Sequence, residues 1–175
     1  ANRQFLLSEI VSLATVDVLN RYATGFSIKW PNDIYWHDKK IAGILIENVL
    51  SGSTFSRAII GMGLNINQNN FYSDAPNPVS LYQKTGRTYK IEKILDEFTE
   101  AFGKRYTDTF TNSSDRIHKE YIAALYRNDG VYPFYSDGNI FHASIADVEL
   151  DGHLLLSTES GEKKRFAFKE VSFLL

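Results

Sequence analysis

Three lysines, two aspartates and an asparagine lie within one short segment, residues 29–47, which reads KWPNDIYWHDKKIAGILIE. Pro31 has no N–H to donate to a sheet, so it ends the first strand, and Asn32 and Asp33 favour a side-chain-stabilised turn. An apolar, β-branched strand that contains a glycine then follows Lys40. A glycine inside a strand often marks the close approach of a ligand. A lysine at the base of a hairpin beside such a strand predicts a site for an anionic ligand.

A helix and a further strand are predicted to surround this segment. Apolar residues recur at helical spacing over residues 5–22, and we interpret this helix as part of the core. A strand over residues 54–61 leads into Gly61 and Gly63 of the sequence GMGLNIN. These glycines lack the third glycine and the following helix of a dinucleotide-binding fingerprint, so we exclude that class of site. They either admit a ligand or let a helix pack against the strand.

The middle of the chain is predicted to be mostly helical. Residues 68–79 are polar and contain two prolines, which predicts a loop, and a short helix that ends at Gly86 follows. Two longer helices are predicted over residues 91–110 and 114–126, the second with a serine or aspartate cap. The first of these has an apolar stripe that we expect to face the core, formed by Ile91, Leu95, Phe98, Phe102 and Tyr106.

From residue 129 onward, short alternating strands are separated by Asp-Gly and Ser-Gly pairs, which are tight-hairpin signals. Five strands in fewer than fifty residues predict a small barrel. They are expected over residues 131–135, 139–150, 153–158, 164–168 and 171–174. We place a domain boundary near residue 128, which divides the chain into residues 1–127 and 128–175.

Composition narrows the possible function classes. The 175 residues are 43% hydrophobic, enough for a packed core, and carry a formal net charge of −2. This charge and the lack of a basic run argue against broad nucleic-acid or membrane-surface binding. There are no cysteines, which excludes disulfides, zinc thiolates and a thiol nucleophile. No apolar run reaches transmembrane length, and we expect a cytoplasmic enzyme.

The segment Lys29–Glu47 resembles the core motif of the biotin protein ligases, which consists of KWPND, a short variable turn, and a lysine followed by a strand like IAGILIE. Every fixed position of that motif is present. The sequence Gly61–Asn65 is similar to the Gly-x-Gly-x-Asn pattern of the same family. Residues 169–173 are similar to its closing Gly-Glu-Val-Ser segment, with a lysine in place of the glycine.

This resemblance implies an α+β fold. A mixed β-sheet with helices, as in biotin ligase catalytic domains and class II aminoacyl-tRNA synthetases, would be followed by a small Src-homology-3-like barrel. The Gly-Arg-Gly-rich adenylate loop of the family has no counterpart in these residues. We therefore expect the C-terminal half of the catalytic domain plus the barrel, inactive or weakly active alone. Unpaired sheet edges would favour association, for example as a homodimer.

The resemblance also implies a reaction in two steps. The biotin carboxylate attacks the α-phosphate of ATP to give biotinyl-AMP, and a lysine of a biotin carboxyl carrier protein then takes the biotin and releases AMP. Because both steps build negative charge around the carboxyl–phosphate junction, a preorganised cation would stabilise both transition states. Lys40 matches the family's essential lysine and is predicted to be that cation. Lys39 falls at a variable position and is interpreted as a solvated hairpin residue.

Other residues of the motifs are expected to contact the substrates if the resemblance holds. The residues expected to lie against biotin or its acyl link are Gly43, Ile44, Gly61 and Gly63. The residues expected to lie near the phosphates of ATP are Lys29, Asn32, Asn65 and Arg127. Asp33 is expected either to help bind Mg²⁺, together with Asn65, or to accept a hydrogen bond from the acceptor lysine. A simple turn-capping role for Asp33 stays open as well.

Two other functions are compatible with the sequence. Lipoate ligases share the architecture and a catalytic lysine, although the WPND string and the terminal barrel favour biotin. A non-catalytic module that binds a carrier domain, for example by strand pairing, is the third possibility. No DNA-binding segment is visible in these residues.

Overall fold

The computed structural model describes residues 5–51, 54–72, 77–111 and 114–174. These residues form an α+β fold with two antiparallel sheets and four helices. None of these helices combines the length and the apolar character needed to span a bilayer. Residues 73–76 of the predicted loop, which include Pro76, lie outside the described residues.

The first sheet has the strand order β1-β2-β3-β4, with all neighbours antiparallel. Its strands are β1 Phe26–Lys29, β2 Asp33–Trp36, β3 Lys39–Ser51 and β4 Thr54–Leu64. The predicted mixed sheet is wrong for these strands, because only two or three residues separate each strand from the next, too few for the crossover that parallel neighbours need. Parallel pairing among the described residues is limited to two single bridges, Ile28 with Leu125 and Lys40 with Pro78.

The two faces of this sheet differ in burial. One face carries buried residues such as Ile28, Ile34 and Ala42 and packs on helix α1, Leu6–Leu19. The predicted core position of α1 is confirmed, since ten of its 14 residues are buried. On the opposite face of β3 and β4, the side chains of Leu45 and Ile59 are 61% and 54% exposed. The sheet therefore has one covered face and one open face.

Three further helices follow the sheet: α2 Leu81–Thr85, α3 Ile91–Thr111 and α4 Ser114–Ala123. Helix α2 begins with a capping box, in which the Ser80 hydroxyl accepts from the Gln83 backbone N–H and the Gln83 side chain accepts from the Ser80 N–H. It ends at Gly86, whose φ of 69° lies in the left-handed region that favours glycine. The predicted short helix is thus confirmed at both ends.

The prediction for the apolar stripe of α3 is partly wrong. Ile91 and Leu95 are each 58% exposed, and Tyr106 is 46% exposed. The side chains that α3 buries most deeply are instead Ile94 and Ala101. A 3.6-residue period admits two overlapping apolar sets on one helix, and here the helix is rotated by roughly a quarter turn from the predicted orientation.

The second sheet has the order β8-β7-β6-β5-β9 and confirms the five predicted strands. They are β5 Tyr132–Ser136, β6 Asn139–Val148, β7 Leu154–Thr158, β8 Lys163–Phe166 and β9 Ser172–Phe173. The three predicted glycine turns have left-handed backbone at Gly138, Gly152 and Gly161. Lys169, which stands where the family resemblance has a glycine, also has a left-handed φ of 72°.

Candidate functional site

An ion pair between Lys40 and Asp33 lies at the start of the long strand β3. The Lys40 Nζ is 2.6 Å from Asp33 Oδ1, and both side chains are mostly covered. The pairing register explains this contact: Asp33 stands opposite Gly43, and Tyr35 stands opposite Lys40, with a bulge between. The two charged side chains therefore project from the same face of the sheet.

Gly43 lies directly beneath the ion pair. A Cβ at this position would come within 3.3 Å of Asp33 Oδ1, of Lys40 Cε and of Lys40 Nζ. Such contacts are tighter than ordinary van der Waals packing, so any other residue would displace the pair. The glycine that the sequence marks as a close approach thus admits two side chains of the chain itself.

The backbone of Lys40 is held from a second direction. Its N–H donates to the Asn77 carbonyl at 2.9 Å, and its carbonyl accepts from the Val79 N–H at 2.9 Å. These two hydrogen bonds form a short parallel bridge beside β3. Lys40 is therefore fixed at its backbone by residues 77–79 and at its amine by Asp33. Lys39, by contrast, is exposed, as expected for a solvated hairpin lysine.

The open face beside the ion pair is poor in side chains. Gly43 pairs with Gly63, and Leu45 pairs with Gly61 on the neighbouring strand. A Cβ on Gly63 would meet no atom within 4 Å, and one on Gly61 would touch only a backbone oxygen at 3.8 Å. The glycines thus leave a part of the sheet face near Lys40 without side chains of their own. Asn65 follows this strand, and its N–H donates to the Ile41 carbonyl at 2.9 Å.

Asn32 and Ile44 bind each other through backbone and side chain. The Ile44 N–H donates to the Asn32 carbonyl at 2.8 Å, and the Asn32 Nδ2 donates to the Ile44 carbonyl at 2.5 Å. The Ile44 side chain is 3% exposed and faces the core. Asn32 therefore locks the turn before Asp33 onto β3. The expected contacts of Asn32 with phosphate and of Ile44 with biotin stay predictions that must compete with this pairing.

Lys29 lies on the same sheet face as Asp33. Its Nζ donates to the Tyr35 hydroxyl at 3.0 Å and lies 5.5 Å from the ring centre of Phe173. Burial lowers the pKa of Lys29, the nearby positive charges of Lys40 and Arg127 lower it further, and Asp33 opposes them. Three cations thus interact around one carboxylate. This is an excess of positive charge in a chain whose net charge is −2.

Arg127 follows helix α4 and has a left-handed φ of 60°. Its guanidinium lies 5.0 Å from the ring centres of both Tyr126 and Tyr132, and its Nη1 donates to the Leu174 carbonyl. Residues near the end of the second sheet thus hold Arg127 within electrostatic range of Lys29. These contacts already engage the guanidinium of Arg127, and its expected contact with the phosphates of ATP stays a prediction.

Sequence reasoning missed three residues that build this region. Tyr35 supports Lys29 from the same strand as Asp33, and the two-residue period of a strand could have placed it there. Phe173 reaches Lys29 from strand β9. Gly152, in the β6–β7 turn, accepts a hydrogen bond at 2.9 Å from the indole of Trp30. No local pattern in the sequence predicts these last two contacts, because they join distant segments.

Carboxylates and histidines suited to a metal ion are sparse at the ion pair. Among the described residues, one group of three carboxylate or histidine side chains lies close enough together to share an ion. It lies in the β6–β7 turn and consists of Glu149, Asp151 and His153. Arg165 already donates to Glu149 at 2.5 Å and to Asp151 at 2.6 Å. Near Lys40, Asp33 supplies one carboxylate, and one of its oxygens is used by the lysine. This donor set suits a cation that arrives with a phosphate rather than one held by protein alone.

Comparisons with known proteins agree with the sequence motif. The model of the biotin/lipoate A/B protein ligase family matches residues 2–65. The bifunctional ligase/repressor BirA of Bacillus subtilis is 30% identical over 146 residues, which cover 80% of this chain and 44% of that protein. The biotin–[acetyl-CoA-carboxylase] ligase of Paracoccus denitrificans is 30% identical over 128 residues, covering 69% of this chain and 53% of that one.

Solved structures share the fold. The apo biotin protein ligase of Aquifex aeolicus superimposes with a TM-score of 0.77 at 21% identity, covering 98% of this chain and 76% of that one. The same enzyme in complex with biotin and ATP gives a TM-score of 0.76. The chain spans about half the length of the curated relatives that it matches. The family model, the relatives and the shared fold together show that this chain belongs to the biotin protein ligase family.

Proposed function

We propose that this chain carries catalytic residues of an ATP-dependent ligase that activates biotin as biotinyl-AMP and transfers it to a lysine of a biotin carboxyl carrier protein. The observation that carries this proposal is the Lys40–Asp33 ion pair, 2.6 Å long, beside an open glycine surface. A fixed cation next to a surface that can take an apolar ring system suits a ligand with an anionic end and an apolar body.

In the first step, a biotin carboxylate oxygen attacks the α-phosphorus of ATP while the bond to pyrophosphate breaks. Negative charge grows on the phosphorus oxygens and on the leaving group. The Lys40 ammonium, held by Asp33 and by its backbone bridge to residues 77–79, would lie where this charge develops. Because the group is already oriented, little reorganisation is needed at the moment of reaction.

In the second step, the amine of the acceptor lysine attacks the acyl carbon and AMP leaves. The carbonyl oxygen becomes an oxyanion, and Lys40 would stabilise it as well. Asp33 uses Oδ1 for Lys40, which leaves its other oxygen for a hydrogen bond from the incoming amine. We assign the biotin side to Gly43, Gly61 and Gly63, since the surface above them is open.

The phosphate side is assigned to the cations around Asp33. Lys40 and Arg127 both lie within electrostatic range of Lys29, and Asn65 follows the adjacent strand. Magnesium fits this region only as an ion bound to ATP, with Asp33 and Asn65 as its protein contacts. When bound, it would neutralise part of the phosphate charge. Because ATP is the co-substrate, we place the reaction in the cytoplasm.

The proposal includes an organisation that matches the motif. Residues 1–127 would be the C-terminal part of a catalytic domain of the class II aminoacyl-tRNA-synthetase type, and residues 128–175 a Src-homology-3-like barrel. Strand β4 lies at the edge of the described first sheet, so pairing of two copies there would give a homodimer. Residues outside this chain would supply the Gly-Arg-Gly loop, and the chain alone would be weakly active or inactive.

The test is biotin-dependent exchange of labelled pyrophosphate into ATP. It is run on the chain alone and on the chain joined to a Gly-Arg-Gly-containing upstream segment from a relative. We expect exchange with the joined protein, a loss of about 100-fold or more in Lys40→Ala, and little change in the matched control Lys39→Ala. Full turnover by the chain alone would contradict the need for upstream residues. Equal losses in both variants would contradict the role of Lys40.

The identity of the acyl group is tested separately. The family model covers both biotin and lipoate ligases, whereas the relative from Paracoccus denitrificans is named as a biotin–[acetyl-CoA-carboxylase] ligase. We expect biotin, and not lipoate, to raise the thermal midpoint of the joined protein. Stabilisation by lipoate would assign the chain to the other branch. If Lys40→Ala leaves carrier binding and every activity intact, the non-catalytic module is the better reading.

A further inference from the structure

The β6–β7 turn, residues 149–153, is joined to the segment 29–47 by a hydrogen bond between Trp30 and Gly152. The indole Nε1–H of Trp30 donates to the Gly152 carbonyl at 2.9 Å, although the two residues are 122 positions apart. Trp30 is 5% exposed, so this polar group would otherwise be buried without a partner. The contact joins the second sheet to the residue that immediately precedes the turn carrying Asp33.

A larger residue in place of Gly152 would strain the backbone and displace the Phe5 ring. Its φ is +93°, and a Cβ there would lie 2.6 Å from the Phe5 ring. The N–H of Phe5 also donates to the Leu150 carbonyl at 3.4 Å. The turn is thus inserted between the start of helix α1 and Trp30, and its carbonyl can point at the indole only from this position.

The turn is also stiffened from within the second sheet. The Glu149 N–H donates to the His153 carbonyl at 2.8 Å, and the Gly152 N–H donates to the Glu149 carbonyl at 2.8 Å. Arg165 on β8 binds the carboxylates of Glu149 and Asp151 at 2.5 and 2.6 Å. A turn held at both ends and across its side chains presents the Gly152 carbonyl as a fixed acceptor.

From Trp30, the chain of contacts runs directly to the ion pair. Trp30 is followed by Pro31 and then Asn32, which is bound to Ile44 by two hydrogen bonds. The next residue is Asp33, whose carboxylate holds the Lys40 amine at 2.6 Å. A shift of Trp30 would therefore shift the turn and, with it, the anchor of Lys40.

We infer that Trp30 and Gly152 are positioning residues, through which the β6–β7 turn fixes the Asn32–Asp33 turn and hence the Lys40–Asp33 pair. The consequence for catalysis rests on the proposed function, but the positioning itself does not. In a protein that adenylates biotin, loss of this contact would lower kcat more than it raises the KM for biotin, because Lys40 acts in the transition state.

The test is amide hydrogen exchange by NMR on the complete chain, which needs no activity. The reporting amide is Ile44, which donates to Asn32, and the reference amide is Ile28, which donates to Ala124 at 2.8 Å. Trp30→Phe keeps an aromatic side chain and removes the indole N–H donor. We expect the Ile44 amide to exchange about tenfold faster than in the parent chain, with Ile28 unchanged.

The chain offers a matched control in its other tryptophan. The indole of Trp36, on strand β2 of the same sheet, also donates to a backbone carbonyl at 2.9 Å. That carbonyl belongs to Thr24 and not to the β6–β7 turn. Trp36→Phe should leave Ile44 exchange unchanged. Equal effects of the two variants on Ile44, or equal acceleration of Ile44 and Ile28 in Trp30→Phe, would overturn the inference and leave only a general contribution to stability.

Two further variants keep the test decisive if Trp30→Phe does not fold. Replacing Trp30 by benzothienylalanine keeps the two-ring shape and removes only the N–H, so it should reproduce the faster Ile44 exchange. Gly152→Ala should do the same by pushing the turn away from Phe5, and Phe5→Ala in the same chain should partly restore protection. Normal Ile44 protection in the benzothienylalanine chain would overturn the inference. If the joined protein does not exchange labelled pyrophosphate into ATP, the proposed function fails. The result for hydrogen exchange at the Ile44 amide still stands in that case.

Discussion

Lys40 and Asp33 form their 2.6 Å ion pair over a strand position that has no side chain, since Gly43 lies beneath both of them. The two charges are brought together by strand pairing. Asp33 on β2 is the direct neighbour of Gly43 on β3, and Lys40 precedes Gly43 on β3, on the other side of the bulge. The geometry of the pair therefore depends on a glycine as much as on the charges.

Replacing Gly43 by alanine should damage the site more than the fold. The new Cβ would stand 3.3 Å from Asp33 Oδ1 and from Lys40 Nζ, so the flexible end of the lysine would have to move. We expect the free energy of unfolding to change by no more than about 1 kcal/mol, and pyrophosphate exchange by the joined protein to fall about tenfold or more. Chemical denaturation and the exchange assay, run on the same preparation, check both halves of this prediction.

Gly63→Ala is the matched change on the paired strand. A Cβ at Gly63 meets no atom within 4 Å, so the stability should be unchanged or rise by about 0.5 kcal/mol. If biotin lies on this open surface, the same methyl group should weaken its binding, as measured by calorimetry on the joined protein. Unaltered affinity in Gly63→Ala would move the biotin site away from the glycine surface.

The centre of the site could be predicted from sequence because it is local. Lys40, Asp33 and Gly43 lie within one hairpin, and hairpin pairing follows from turn residues and a two-residue period. The supports of the site could not be predicted in this way. Trp30 meets Gly152 across 122 positions, and Lys29 meets Phe173 across the two sheets. Such contacts depend on how whole elements pack, which no local pattern encodes.

Helix α3 shows a second limit of the same kind. Its periodicity correctly predicts a long helix with apolar residues, but it does not decide which side faces inward. Ile94 and Ala101 are buried, whereas Ile91 and Leu95 are exposed. Small residues such as alanine can face a tightly packed neighbour, and a larger apolar side chain nearby is then turned outward. The orientation of a helix is set by its partners and not by its own sequence alone.

The positive charge of Arg127 contributes to the lowered pKa of Lys29, after burial and the charge of Lys40. Burial lowers the pKa of Lys29, and the charges of Lys40 and Arg127 lower it further. Since the folded-state pKa lies below the unfolded one, this group adds stability as the pH rises through the folded pKa towards its ordinary value. Arg127→Ala should therefore raise the pKa of Lys29, as followed by NMR titration of its side-chain carbons.

The matched variant for this experiment is Arg127→Lys, which keeps a positive charge at the same position. It should hold the pKa of Lys29 closer to that of the parent chain than Arg127→Ala does. An unchanged titration of Lys29 in Arg127→Ala would show that the two side chains are not coupled, and it would remove Arg127 from the proposed phosphate site.

His118 on α4 joins α1 to the second sheet. Its Nδ1 lies 2.7 Å from the Glu9 carboxylate, and its Nε2 lies 2.8 Å from that of Asp147. Burial lowers the pKa of His118, but the hydrogen bonds and charges of these two carboxylates outweigh it, so the pKa is raised above its ordinary value. The charged imidazolium can donate to both carboxylates at once, which a neutral ring cannot do.

A raised histidine pKa fixes the sign of the pH dependence. The stability from His118 is fully present below its unfolded pKa of about 6.5 and is lost as the pH rises through the higher folded value. His118→Gln should cost about 2 kcal/mol at pH 6 and less at pH 9, by urea unfolding at each pH. The control is His142→Gln, which removes an exposed histidine from the strand that carries Asp147. A constant cost of His118→Gln across this range would contradict the charged bridge.

A single change at Lys169 should stabilise the chain. Its φ of 72° places an L side chain in the left-handed region, which costs about 1–2 kcal/mol, and its side chain is exposed. Lys169→Gly removes this strain but adds freedom to the unfolded chain, so we expect a net gain of roughly 0.5 kcal/mol. For a chain of 175 residues this corresponds to a rise in Tm of about 1–2 °C. Lys169→Ala removes the same charge and keeps the Cβ, so it should give no gain. Equal stabilisation by both variants would assign the effect to charge rather than to the backbone.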